Sequence, residues 1–164
     1  MLNLCYLSKN FHYNKKFIWD GHGSACHEVV LPNILRKIKD SLGIETPIWL
    51  KSNNEYLLGH IDLLLLFRGT LLVCDYKPNE SPFYSEEFIN TSFLNSIPQV
   101  SSYAKIIGKL FMVNKILCLT FNKIGLWYNE SNIMKDINAF MINNGVPSYK
   151  RPWENYFSFS IKKT

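Results

Sequence analysis

The sequence is short of the features that would assign it to a membrane, a secretory route or a disulfide scaffold. Its four cysteines, Cys5, Cys26, Cys74 and Cys118, are scattered along 164 residues without a Cys-x-x-Cys pair. Three of them stand in apolar or helical context, where a free thiol behaves as a small hydrophobe, so a reduced, intracellular (cytoplasmic) chain is expected. No apolar run is long enough to cross a bilayer, since Leu63 to Phe67 is short and Arg68 interrupts it; no membrane partner is expected. The N-terminus shows no basic region followed by an apolar run and a small-residue cleavage site, which argues against secretion. Repeats and low-complexity tracts are lacking as well. Acidic residues are the scarcer charge: 13 Asp and Glu against 18 Lys and Arg leave a net charge of +5, with a pI near 9.0. That balance fits a polyanionic partner, although basicity alone selects none.

What is present is a globular composition, 47% apolar and 15% aromatic, enough to bury a core in a single domain spanning 1–164. The most informative stretch runs from Gly59 to Lys77. Two apolar runs flank the break Phe67-Arg68-Gly69-Thr70, which predicts two buried strands joined by a tight turn. Each run carries an acid, Asp62 near the start of the first and Asp75 at the end of the second. Residues i and i+2 of a strand share a face, so Asp75 and Lys77 project together. Burying a carboxylate among leucines and valines is costly unless a cation compensates it. A metal ion shared with Asp62, with the lysine beside it, would do so.

In chain order, residues 1 to 22 are aromatic and basic without a clean period, an irregular or short-strand lead-in. Gly23-Ser24 offers a helix start, and Val29, Val30, Ile34, Leu35 and Ile38 recur at helical spacing. Pro32 either opens the regular part of that helix or kinks it, and Ser41-Leu42-Gly43 ends it. Strands are predicted at 47–51 and 56–67 around a Ser52-Asn53-Asn54 turn, then at 71–76, closed by Pro78. Residues 79 to 95 form a long polar connection carrying Glu80, Glu86 and Glu87. A second helix is expected from Ser96-Ile97-Pro98, with the proline in its first turn, to about Met112. Strands at 115–121 and 125–128 around Asn122-Lys123 follow, then a helix from Glu130 to Asn143 ended by Gly145, and a tail whose alternation at 156–161 suggests an edge strand. The order is helix, three strands, helix, two strands: one mixed α/β domain.

That order, with four short motifs in it, resembles the PD-(D/E)XK nuclease superfamily, and its RecB-like branch in particular. The residues that carry the resemblance are Gly23-Ser24-Ala25-Cys26-His27, Gly59-His60-Ile61-Asp62, Asp75-Tyr76-Lys77 and Gln99-Val100-Ser101-Ser102-Tyr103. Each alone is weak; all four fall in the family's order, across roughly residues 23 to 121. The resemblance implies a restriction-endonuclease-like core (α-β-β-β-α-β, a mixed sheet of about five strands flanked by helices) over about 23–128, with a C-terminal helix and tail at 129–164. It implies a Mg2+- or Mn2+-dependent deoxyribonuclease, an exonuclease or endonuclease that hydrolyses phosphodiester bonds of single- or double-stranded DNA by metal-activated water, in DNA processing, repair, recombination or viral genome processing. Asp62, Asp75 and the backbone carbonyl of Tyr76 would hold the metal. His27 would be the ligand from the opening helix, with its neighbour Glu28 the alternative, because adjacent helical positions point about 100° apart and only one can reach. Lys77 would orient or deprotonate the water, and Gln99 and Tyr103, one turn apart, would hold Lys77, the water or the DNA backbone. The iron–sulfur members of the branch carry a closely spaced cysteine set after the tyrosine helix; here only Cys118 follows Tyr103, so no iron–sulfur cluster is expected.

Other residues divide between site and surface. His60 shares the side of Asp62 and is read as solvent-facing or supporting, and His12 and His22 as surface residues. Glu80, Glu86 and Glu87 are a solvated face unless one reaches the site. Lys105, Lys109, Lys115 and Lys123 are either a phosphate-contacting stripe or a solvated one. Trp127, Tyr128, Trp153, Tyr156 and Phe157 are read as core rather than base-stacking platforms. The alternative function is a catalytically inactive nucleic-acid-binding protein on the same scaffold, and the sequence leaves monomer and homodimer open.

Overall fold

The two apolar runs around Gly69 form adjacent antiparallel strands at the centre of a mixed sheet. The structure is a computed structural model that describes residues 5–6, 25–52, 55–78, 91–122, 126–155 and 157. In order these give β1 (Cys5–Tyr6), α1 (His27–Lys37), β2 (Ser41–Ser52), β3 (Glu55–Phe67), β4 (Thr70–Tyr76), α2 (Thr91–Phe111), β5 (Ile116–Phe121), β6 (Leu126–Asn129) and α3 (Met134–Asn143). The six strands lie in the order β1-β6-β5-β4-β3-β2; β1 contributes only 2 residues, so five strands carry the sheet. β4 and β5 run parallel and the other neighbours antiparallel. A parallel pair cannot be closed by a tight turn, and the crossover between these two holds α2.

Strand alternation sorts the core onto two faces. Leu72, Cys74 and Tyr76 of β4, with Leu63, Leu119 and Phe121, pack under Val30, Leu31 and Ile34 of α1. Leu71 and Val73, with Ile48, Ile61 and Cys118, pack under Val100, Tyr103, Ala104 and Ile107 of α2. Cys74 and Cys118 are buried free thiols, and burial pushes Cys118 up to about 12. None of the helices among the described residues is long and apolar enough to cross a membrane.

One irregularity governs the rest. Ile61 and Leu63 are two apart, yet Ile61 faces α2 and Leu63 faces α1. β2 makes the same switch between Ile44, against the α1 cluster, and Ile48, against the α2 cluster. The pairs Ile44↔Leu63 and Thr46↔Ile61 bracket the position where Glu45 stands opposite Asp62, and Glu45 has a left-handed backbone with φ 46°. The kink rolls the outer half of the β2–β3 hairpin and leaves Asp62 outside the regular alternation.

Several boundaries differ from the sequence reading. α1 stops at Lys37, and Ser41-Leu42-Gly43, expected to end the helix, already belongs to β2, where the register shifts between Ser41 and Gly43. α2 starts five residues before Ser96, so Pro98 lies inside it rather than in its first turn. Pro98 is fully buried, and Ser102 Oγ donates to its carbonyl at 2.7 Å; packing outweighs the lost backbone bond. Leu110 and Phe111, which extend the helical period, are 65% and 69% exposed at the end of α2. The expected third helix opens with a 3-10 turn at Ser131–Ile133. The lead-in apart from Cys5–Tyr6, Gly23 and Ser24, the Asn53-Asn54 turn, the glutamates Glu80, Glu86 and Glu87, Lys123 and Gly125, and the 156–161 alternation apart from Phe157 lie outside the described residues.

A non-glycine residue in the left-handed region costs about 1–2 kcal/mol, and more when β-branched. Glu45→Val should therefore lower stability in urea unfolding by about 1–2 kcal/mol while Glu45→Gly does not; equal tolerance of both would show that the kink is not under strain.

Candidate active site

The β3–β4 ladder pairs Phe67 with Thr70 at one end and stops at Leu63↔Cys74 at the other. The next residues in register are Asp62 and Asp75. At this point the strand partner of β4 is a side chain: the Tyr76 backbone N–H donates to Asp62 Oδ2 at 2.7 Å. A buried N–H without an acceptor costs about 1–3 kcal/mol, so the carboxylate completes the sheet as well as charging it. The N–H and C=O of a strand residue share one edge, so the Tyr76 carbonyl points the same way, toward Asp62.

From the α1 side, His27 Nε2 stands 3.2 Å from the same Asp62 Oδ2. His27 is the first residue of α1, held by Tyr76: the rings meet edge-on at 5.2 Å, and the Tyr76 hydroxyl donates to the Ala25 carbonyl at 2.7 Å. Burial pushes the Tyr76 hydroxyl up to about 12. Glu28, the alternative to His27, is exposed, and hydrogen bonds from its own backbone and from Cys26 hold its carboxyl below the ordinary range. It serves the helix start, and the structure brings His27, not Glu28, to Asp62.

On the α2 side, Asp75 is only 4% exposed. Lys77 Nζ lies 2.9 Å from its Oδ2 and donates to Oδ1 at 3.2 Å, while Oδ2 receives no aligned hydrogen bond. Burial raises the Asp75 carboxyl to about 6; Lys77 opposes the rise and Asp62 adds to it. The result is two side-chain pairs, His27–Asp62 and Lys77–Asp75, on either side of the Tyr76 backbone. Among the described residues no three His, Cys, Asp or Glu side chains are gathered closely enough to hold a metal ion, so the site is not a closed cage. The Asp75 oxygen that is buried without an aligned donor and the two acids at one ladder end do fit a hard divalent cation, which takes oxygen ligands.

Gln99 and Tyr103, expected to hold Lys77, the water or the DNA backbone, touch each other and β3. Gln99 Nε2 donates to the Tyr103 hydroxyl at 3.0 Å, and the His60 backbone N–H bonds that oxygen as well. Burial raises the Tyr103 hydroxyl, with Asp75 and Asp62 adding to the rise. The ring lies on Gly59, where an added Cβ would run into its edge and hydroxyl. Gly59 and Tyr103, from separate motifs, are therefore two halves of one contact that pins β3 just before Asp62.

Of the remaining candidates, His60 is exposed. Lys115 precedes β5 at the far end of the sheet, where it lines a cavity of about 460 Å³ with Thr70, Asn114 and Glu130; β4 places Thr70 about 17 Å from Asp75. Lys105 lies 5.8 Å over the Phe157 ring, and Lys109 is exposed near the C-terminus of α2. Of the described lysines, Lys115 thus stands away from the acids. Trp153 is buried and donates to Asn138 at 3.2 Å, and Tyr128 packs on the α1-side core; the side chains of Trp127 and Tyr156 lie outside the described residues. The sequence reading missed the Tyr76 side chain, though a residue between Asp75 and Lys77, which share a face, must point to the other face, where α1 packs. It also missed the buried Ser96–Thr120 hydrogen bond of 2.7 Å, which fastens α2 to the strand position paired with Asp75.

Two measurements follow. Gly59→Ala should cost about 1–3 kcal/mol by overpacking, and the cost should shrink in a Tyr103→Leu background; an undiminished cost would break the proposed contact. Because the folded Asp75 carboxyl titrates near 6 against an ordinary 3.8, its burial favours the fold below pH 4 and loses that advantage as pH rises through 6, about 3 kcal/mol in all. Asp75→Asn should thus unfold at a higher temperature than wild type at pH 7.5, with the gap closing by pH 4; a variant less stable at pH 7.5 would contradict this. Compared with protein-family models, with curated proteins and with solved structures, the chain matches none of them.

Proposed function

We propose that this protein is a metal-dependent deoxyribonuclease on a restriction-endonuclease-like core, hydrolysing phosphodiester bonds at the end of β4. The observation that carries the reading is the ladder end at Asp62: its carboxylate holds the Tyr76 N–H at 2.7 Å and faces His27 at 3.2 Å, with Asp75 next in register and Lys77 2.9 Å from it. Asp62, Asp75 and the Tyr76 carbonyl would hold Mg2+ or Mn2+, with the His27 imidazole as a nitrogen donor that makes manganese more acceptable. Bound there, such an ion supplies Lewis-acid stabilisation of phosphate charge and lowers the pKa of water.

The chain's own residues supply the rest. The Lys77 ammonium, 21% exposed, offsets the charge of an incoming phosphate and orients the attacking water for in-line displacement, leaving a 5′-phosphate. Asp75 holds Lys77 against β4, and Tyr103 with Gly59 fixes the height of Asp62 above it. The same two pairs would also suit a non-catalytic nucleic-acid-binding domain, because each acid already has a basic neighbour. Such a domain would bind DNA in a salt-dependent way and give no divalent-dependent turnover.

In a digestion assay with magnesium or manganese, Asp75→Ala and Lys77→Ala should each lower cleavage by at least about 10²-fold while circular dichroism stays that of wild type. The divalent ion should raise the melting temperature of wild type, since a ligand of the native state stabilises it, and should do so less for Asp75→Ala. Cleavage by Asp75→Ala at the wild-type rate would reject the assignment. A series on linear, circular and single-stranded DNA assigns action at ends or in the interior.

A further inference from the structure

Beyond the kink at Glu45 the β2–β3 hairpin is an arm with two unlike faces. Ile48 and Ile61 are buried beneath α2, and Leu50 packs against the same core. The other face carries Pro47, Trp49 and Lys51 on β2 and Tyr56, Leu58 and His60 on β3, all exposed. They are matched across the strands as Pro47↔His60, Trp49↔Leu58 and Lys51↔Tyr56. Trp49, Tyr56 and Leu58 are 60%, 54% and 71% exposed. A contiguous apolar and aromatic patch of this kind marks an interaction surface rather than scattered surface residues.

Three observations fix the kind of partner. First, Lys51 Nζ sits 5.5 Å over the Tyr56 ring, so one cation and one aromatic ring form a unit; a phosphate that draws the exposed ammonium off the ring frees its face for the base of the same nucleotide. Second, a duplex hides its bases and is gripped through phosphates by many Lys and Arg, whereas the described residues of this face include one lysine among aromatic and aliphatic groups; an unpaired strand offers free base faces. Third, the face lies next to the candidate site: β3 carries exposed His60 two residues before Asp62, whose carboxylate faces His27 of α1. From Tyr56 to Asp62 the strand covers about 20 Å, room for up to about six nucleotides at the duplex rise. The chain's net charge of +5 suits the same partner.

We propose that the outward face of the β2–β3 arm docks an unpaired DNA strand, with bases stacked on Trp49 and Tyr56 and the backbone led past His60 toward Asp62. The direction of the strand rests on the nuclease reading above; the docking itself does not.

The test uses the full chain in EDTA, where cleavage cannot occur, with fluorescence anisotropy of a labelled oligothymidylate and of a duplex. Trp49→Ala and Tyr56→Ala should each weaken oligothymidylate binding about 5- to 100-fold, with duplex binding and melting temperature unchanged, and Trp49→Phe should retain most of the affinity. Oligothymidylate should also quench tryptophan fluorescence in wild type more than in Trp49→Phe. Alanine variants that bind like wild type would overturn the proposal, as would a concentration-dependent dimer of the free protein that Trp49→Ala abolishes. Digestion of single-stranded and of duplex DNA with manganese is measured separately: the absence of both in wild type would remove the nuclease reading and leave the docking result standing, while duplex digestion retained in Trp49→Ala beside lost oligothymidylate binding would support both.

Discussion

The structure depends on a carboxylate doing the work of a strand. Where the β3–β4 ladder stops, the backbone of Tyr76 would face its neighbour without an acceptor, and Asp62 provides one from its side chain. To stand there, Asp62 must leave the alternation of β3, and the left-handed turn at Glu45 in the next strand lets it do so. Gly59 and Tyr103 then hold β3 at the height this requires. The features around the site are consequences of that one substitution of side chain for main chain.

Charge follows from the same geometry. Two acids at one ladder end repel, and the fold sets a basic group beside each, His27 from α1 and Lys77 from just after β4. The answer is incomplete at Asp75, whose carboxyl remains raised and whose Oδ2 has no aligned donor. The activity proposed above would require these internal partners to give way to a cation and a phosphate.

Much of this was legible in the sequence because it is written in short-range patterns. The strands around Gly69 came from two apolar runs, and the pairing of Asp75 with Lys77 from the period of a strand. What escaped depends on long-range packing. Pro98 argued for a helix start at Ser96, but the buried surface under α2 carried the helix through it. Ser41-Leu42-Gly43 has the composition of a helix end, yet the need to pair Ile44 with Leu63 made it strand. Gln99 and Tyr103 were placed on the right helix, but the Tyr103 contact with Gly59 was not foreseen, since nothing local says that a tyrosine will rest on a glycine 44 residues earlier. Trp49 and Tyr56 passed unnoticed because apolar residues in a strand suggest burial, and only the roll of the arm turns them outward.

The parallel pairing of β4 with β5 also orders events during synthesis. The meander β2–β3–β4 emerges from the ribosome complete, but one edge of β4 and the underside of Ile61, Leu71 and Val73 have no cover until α2 and then β5 follow. An open strand edge beside a bare apolar face invites association with other chains. Nascent copies halted in the crossover would therefore be clients for chaperones, and the strand that bears Asp75 would be the adhesive part of them.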